Sequence, residues 1–324
     1  MLTIFINTSY DFIGKRRWAY ALSLAIMLVG LTSILAKGGL RYDIDFTGGG
    51  LVELRMPRPV HIDEVRARLT AAGLGESIVQ LFDNPRDVLI RTHLSETTTS
   101  ELTQRIVRAL DPDGTAKPEV LRSDIVGPQI GAELRKQALY AVIAALIGIL
   151  LYIWFRFDFR GGVVTIVSLA HDVFICVGAL SLTNREISLP VLAALLTVIG
   201  FSVNDRIVMY DRLREIQSQT TRKGLSLAEK VNLAVNQTLS RTILTVATVA
   251  MSGAMLFLFG GESLRDFGFV ILVGALTGTT STVYVAGALD VDWSTWADRN
   301  RGSRPGSGAS TRTRRTAAVG PRAS

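Results

Sequence analysis

A chain of 324 residues that is 48% apolar and only 19% charged, with a mean hydropathy of +0.33, is too apolar for a soluble enzyme. Its net charge of +7 does not mark a nucleic-acid surface, because residues 298–324 hold seven Arg against one Asp and leave the remainder close to neutral. The one cysteine, Cys176, lies in an apolar run, which excludes an intrachain disulfide.

Residues 1–17 read as a short arm ending in Lys15, Arg16 and Arg17. A charge-free stretch follows at 18–36, long enough to cross a hydrocarbon core of roughly 30 Å. It lacks a small-x-small cleavage site, which predicts an uncleaved anchor rather than a signal peptide. Residues 37–135 are patterned as a folded unit. Alternation at Val52, Leu54 and Met56 predicts a strand, and Ile62, Val65, Leu69 and Ala72 recur at helical spacing. Ile78 to Phe82 and Val88 to Ile90 are short β-prone runs. A second helix with Leu102, Ile106 and Leu110 on one face takes Ser95 as its N-cap, and a last strand falls at Glu119 to Val126. The order β-α-β-β-α-β predicts an α+β, ferredoxin-like domain that leaves one face or one edge of its sheet open for a partner. Gly48, Gly49 and Gly50 predict a tight turn or bulge at its start; no phosphate-loop Lys-Ser follows them, so nucleotide binding is not expected.

Five more apolar stretches, at 138–155, 162–182, 189–210, 242–259 and 267–289, make 136–290 a five-helix membrane region. The fold class is therefore an α-helical polytopic membrane protein, with six transmembrane helices and an α+β domain between the first and second. An even number of spans puts both termini on one side. Lys15, Arg16, Arg17, Arg156, Arg160, Arg212, Arg214, Arg222, Lys223, Lys230 and Arg241 share that side, whereas the short opposite loops hold only Arg185 and Arg265. Positive loops stay in the cytoplasm, so the termini are expected inside and 37–135 outside. Residues 291–324 are rich in Arg, Ser, Gly and Thr and predict a basic, disordered cytoplasmic tail. It reads as a solubilising, orientation-fixing end with some attraction to membrane lipid, and not as a specific nucleic-acid site.

Ionisable residues inside apolar spans carry the functional expectation, since a charge at mid-bilayer costs at least about 2.5 to 3.5 kcal/mol and needs a partner or water. His171 and Asp172 interrupt the third span in SLAHDVFICVG, Asp205 lies in the fourth in TVIGFSVNDRIVMYDR, and Arg241 and Thr245 open the fifth on one helical face. Because the fourth and fifth spans run in opposite directions, Asp205 and Arg241 are expected at similar depth as a pair. Burial favours the neutral carboxyl and a neighbouring guanidinium the ionised one, which outlines a proton switch; a fixed ion pair pinning two helices is the alternative. His171 and Asp172 read equally as part of a proton path or as helix glue. Arg206, Asp211, Arg156 and Arg160 are expected to snorkel to water. His61 and His93 have no Cys or second close His beside them, so neither a metal site nor another cofactor is predicted. Gly274 and Gly278 form a GxxxG element expected to pack the sixth span closely on a neighbour.

Taken together, DIDFTGG at 43–49, VGPQIGAELRKQAL at 126–139, HDV at 171–173, FSVNDRIVMYDRLRE at 201–215, SRTILT at 240–245 and DFGFVILVGALTGTTSTVYVA at 266–286 resemble the SecF family of protein-export membrane proteins. That family lies in the SecD/SecF group of the resistance-nodulation-division superfamily, and the resemblance covers about residues 10–290. It implies one half of a pseudo-symmetric, proton-driven machine in the bacterial cytoplasmic membrane. A SecD partner would supply the other half, working with the SecYEG channel and often YajC and YidC. The machine would draw preproteins across the membrane after the SecA ATPase has pushed them. Asp205 and Arg241 match the family's residues implicated in proton passage, with Thr245 a weaker candidate. Arg206 stands where the family commonly has Thr or Ser, an extra positive charge beside Asp205. The cycle expected from these residues protonates Asp205 from outside, loosens it from Arg241, swings the outer domain on the tether from Lys37 to Asp43, and resets on proton release inward. A small-molecule or lipid exporter of the same superfamily, and a non-transporting assembly factor for the channel, are the alternatives.

Overall fold

The computed structural model describes residues 8–81, 84–92, 99–114, 117–222 and 224–302. Six helices in it are long and apolar enough to cross a membrane. The first, α1 (Arg16–Ala36), leads through a single turn, α2 (Ile44–Thr47), into the sheet domain. There β1 (Gly49–Arg55), α3 (Ile62–Ala71), β2 (Ile78–Leu81), β3 (Asp87–Thr92), α4 (Thr99–Leu110) and β4 (Glu119–Val126) follow in the expected order. The strands form one antiparallel sheet ordered β2-β3-β1-β4, the split βαβ arrangement. Alternation decides its faces: Val52, Leu54, Val88 and Ile90 point into a core closed by Val65 and Leu69 of α3 and Leu102, Ile106 and Leu110 of α4. On the other face Leu51 and Leu89 pack on Ile44. Gly48 turns the chain with φ +75°, and a side chain there would strike Pro128 at the start of the next span. Ser95, Phe82 and His93 lie outside the described residues.

The membrane layer continues with α5 (Pro128–Arg156), α6 (Phe159–Leu182), α7 (Leu189–Ser218) and α8 (Leu227–Phe259). The sixth span is α9 (Gly261–Thr280), a π-helical segment Ser281–Ala286, and α10 (Gly287–Gly302). Each start has a local cause. Pro128 stands in the first turn of α5, Asp158 accepts from Gly161 N at 2.6 Å to cap α6, and Ser188 accepts from Val191 N to cap α7. Ser226 and Glu229 cap each other's turn at α8.

Three helices overrun the apolar stretches: α5 begins at Pro128 rather than 138, α7 ends at Ser218 rather than 210, and α8 begins at Leu227 rather than 242. The polar first turns of α8 are helical because they have work to do. Asn232 and Asn236 accept from Phe12 N at 2.9 Å and Tyr10 N at 3.0 Å, and so fasten the N-terminal arm. The tail expectation is likewise corrected for 291–302, which α10 holds in a helix by burying Val291 and Asp290; residues 303–324 lie outside the description. In the bundle α6, α7 and α9 are the buried helices, α1 lies on α6 where Gly30 and Gly178 meet backbone to backbone, and α1, α5 and α8 keep broad apolar faces exposed.

Candidate functional site

The α7 helix meets the sixth span along one row of residues four apart. A side chain on Gly274 would strike Val198, and one on Gly278 would strike Ser202, so the GxxxG element lies directly against α7. The third rung of this row is Arg206, whose Nη2 donates to Ser281 Oγ at 2.7 Å and to Asp172 Oδ2 on α6 at 2.8 Å. Both Arg206 and Asp172 side chains are 0% exposed. The other carboxylate oxygen of Asp172 lies 3.1 Å from His171 Nδ1.

The expectation that Arg206 snorkels to water is thus overturned. Because α7 runs to Ser218, Arg206 stands three turns inside the helix end, on the buried face that also carries Ser202 and Met209. A charge there needs a counter-charge, and Asp172 supplies it. Arg156 does reach the surface and pairs with Asp211 at 2.7 Å, both side chains largely open. Arg160 instead forms an ion pair with the enclosed Asp290 at 3.0 Å.

Asp205 points the other way around α7. It is half-buried, and its Oδ1 accepts from Thr242 Oγ1 on α8 at 2.7 Å. Its Oδ2 is enclosed and has no hydrogen-bond partner among the described residues. The expected pairing with Arg241 is not made as a direct contact: among the described residues the two form no ion pair, although Arg241 lies near enough for its charge to act on the carboxyl, and Arg241 and Thr245 both lie on the exposed face of α8. Helical phase explains it. Residues 241 and 245 share a face, while 242 is turned about 100° from 241 and is the one presented to α7. Sequence reasoning therefore missed Thr242 and misplaced Arg206, while the hydroxyls that follow the GxxxG element do reach a neighbouring helix, through Ser281. A signal was available for Arg206, since it continues the Val198–Ser202 row at the same four-residue interval.

No group of three or more His, Cys, Asp or Glu able to hold a metal ion occurs among the described residues. Chemically, the membrane layer offers one enclosed, charge-balanced pair and one carboxylate with a single hydroxyl donor.

Residues 105–296 match the family described as Protein export membrane protein SecD/SecF, C-terminal. The chain is similar to the protein translocase subunit SecF of Desulfurispirillum indicum, 41% identical over 87% of this chain and 91% of that one. It is 40% identical to the SecF subunit of Pseudomonas aeruginosa over 85% of this chain and 89% of that one. Among solved structures it resembles SecDF of Thermus thermophilus, a translocon-associated membrane protein, with a TM-score of 0.79 and 40% identity over 89% of this chain. It spans 39% of that longer chain.

Proposed function

Because the chain belongs to the SecF family of protein-export membrane proteins, and is thus a protein translocase subunit rather than an enzyme, we propose that it couples proton movement through its membrane layer to late steps of preprotein export. It is a multi-pass membrane protein. A SecD partner follows from the SecDF relative, in which the region matching this protein is 39% of one longer chain. SecYEG, YajC and YidC are the further partners we propose, with both termini in the cytoplasm and the sheet domain outside, as the distribution of Lys and Arg favours.

The observation that carries the proton reading is Asp205. It is a carboxylate in the membrane layer whose one direct donor is Thr242, and whose second oxygen is enclosed with no hydrogen-bond partner among the described residues. Unlike Asp172, which Arg206 grips, this carboxylate has no charged hydrogen-bond partner among the described residues. We assign Asp205 as the proton carrier and Thr242 as the donor that orients it. Arg241 and Thr245, on the exposed face of α8, are assigned to the side turned toward the partner half. His171 and Asp172 become fasteners of α6 to α7 rather than members of the path. The driving force is ample, since moving one charge through 100 mV supplies about 2.3 kcal/mol. Neutralising Asp205 removes the reason for its charge-assisted bond to Thr242, lets α7 and α8 repack, and moves the sheet domain docked at the start of α7.

The test is Asp205→Asn in the complex with the SecD partner. Copurification of the two chains is retained, and export driven by a proton gradient is lost. Normal gradient-driven export by this variant would refute the assignment.

A further inference from the structure

The sheet domain touches the membrane layer at more than its two chain junctions. The loop between α6 and α7, residues 183–188, is stitched to the segment that leaves α1. Asp43 N donates to Ile187 O at 3.0 Å and Ile187 N to Arg41 O at 2.8 Å, which makes Tyr42 and Ile187 the partners of a parallel β-bridge. Beside it Asp45 Oδ2 accepts from Leu189 N at 2.9 Å, so a carboxylate of the segment leading into the domain caps the first turn of α7. Glu186 of the same loop accepts from Arg41 at 3.3 Å and pairs with Arg91. Arg91 belongs to β3, which has a neighbouring strand on either side, and the Glu186 and Arg91 side chains are only 11% and 17% exposed. Ser181, at the end of α6, is bonded by Ser33 at 2.9 Å and by Lys37.

A hinge is normally a few residues that cross between bodies with few contacts. This junction is the reverse: backbone bonds, a helix cap and a shielded ion pair all converge on one end of α7. The same helix carries Asp205 sixteen residues further on, or about 24 Å at 1.5 Å per residue. We infer that these contacts form a latch that stays closed throughout the transport cycle, so that the sheet domain and α7 move as one body and Glu186 and Asp45 are the residues that transmit the motion. The tether from Lys37 to Asp43 is then a strap and not a pivot. The inference rests on the proton-driven reading for what moves α7, and on the geometry alone for what α7 moves.

Tyr42→Cys with Ile187→Cys tests it, since β-bridge partners lie close enough for a disulfide and the native thiol, Cys176, is buried. The full-length protein with its SecD partner is placed in inverted membrane vesicles, and gradient-driven export of a preprotein is measured after oxidation and again after reduction. A closed latch gives the same export in both states. Glu186→Lys, which sets a cation against both Arg41 and Arg91, gives a loss of export, and oxidising the cysteine pair in that background restores it. Export that stops on oxidation and returns on reduction would overturn the inference, because it would mean that the latch has to open. Should Glu186→Lys fail to accumulate, the oxidation comparison with Glu186 intact still decides. Export indifferent to the gradient in the reduced protein would overturn the proton reading instead and leave the latch to be judged by the same comparison.

Discussion

Asp172 and Asp205 are carboxylates on neighbouring helices of the membrane layer, and their surroundings differ in kind. Asp172 is fully enclosed and gripped by Arg206, with Ser281 and His171 completing the set. Asp205 is half-buried, has one hydroxyl partner, and keeps an oxygen with no hydrogen-bond partner among the described residues. An enclosed pair whose charges cancel is costly to disturb from either side, which suits it to fixing helices. A carboxylate with a neutral donor has no such commitment. One residue type thus serves as a fastener on one helix and as a candidate charge carrier on the next, and the bonded guanidinium decides which.

The contrast is open to attack in steps of decreasing size. Asp172→Leu leaves the Arg206 charge enclosed and unpaired, which is expected to cost about 3–5 kcal/mol. Combining it with Arg206→Met is expected to recover most of that. Thermal unfolding in detergent reads both, and a double variant no more stable than the single one breaks the comparison. Gly274→Val drives a side chain into Val198 and is expected to cost about 1–3 kcal/mol, with Val198→Ala as the compensating change. If it is tolerated without compensation, the row that carries Arg206 is not the tight wall described.

Thr242→Val removes the donor to Asp205 and is expected to reduce gradient-driven export by roughly tenfold to a hundredfold, as the loss of a charge-assisted bond worth about 1.5–3 kcal/mol implies, with Thr242→Ser close to the parent. The smallest effect lies outside the membrane layer. Arg55 donates twice to Asp87, at 2.8 and 2.9 Å, and these bonds hold the Asp87 carboxyl below the usual carboxylate range. Its contribution is therefore fully present above the unfolded value of about 4 and is lost as pH falls through the lower folded value. Hydrogen exchange at β1 and β3 amides in the intact protein is expected to show that acid-side loss, and Asp87→Asn to flatten it.

Much of this architecture was legible in the sequence because its causes are local. Charge-free runs of span length, and alternation at Val52, Leu54 and Met56 answered by helical spacing at Leu102, Ile106 and Leu110, lead directly to six spans and the split βαβ sheet. The polar contacts were less legible because they depend on rotation and depth. Hydropathy marks where a helix leaves the hydrocarbon, not where it ends, so it puts Arg206 at the rim although α7 continues twelve residues beyond it. The choice among Arg241, Thr242 and Thr245 turns on a single step of helical phase. The Glu186–Arg91 contact joins segments almost a hundred residues apart, and no periodicity within either one points to the other.

The π-helical turn at Ser281–Ala286 has a consequence for how the far ends of the bundle are indexed. Such a turn amounts to roughly one inserted residue, or about 100° of added twist. Before it, Gly274 and Gly278 face α7; after it, Asp290 meets Arg160 at 3.0 Å and Asp292 meets Arg16 at 3.0 Å and Tyr20 at 3.2 Å. The segment works as a vernier between two registers that a uniform helix of this length would not satisfy together. Deleting one residue there would leave composition and span length almost untouched, yet turn both acids off their targets and unfasten that rim of the bundle.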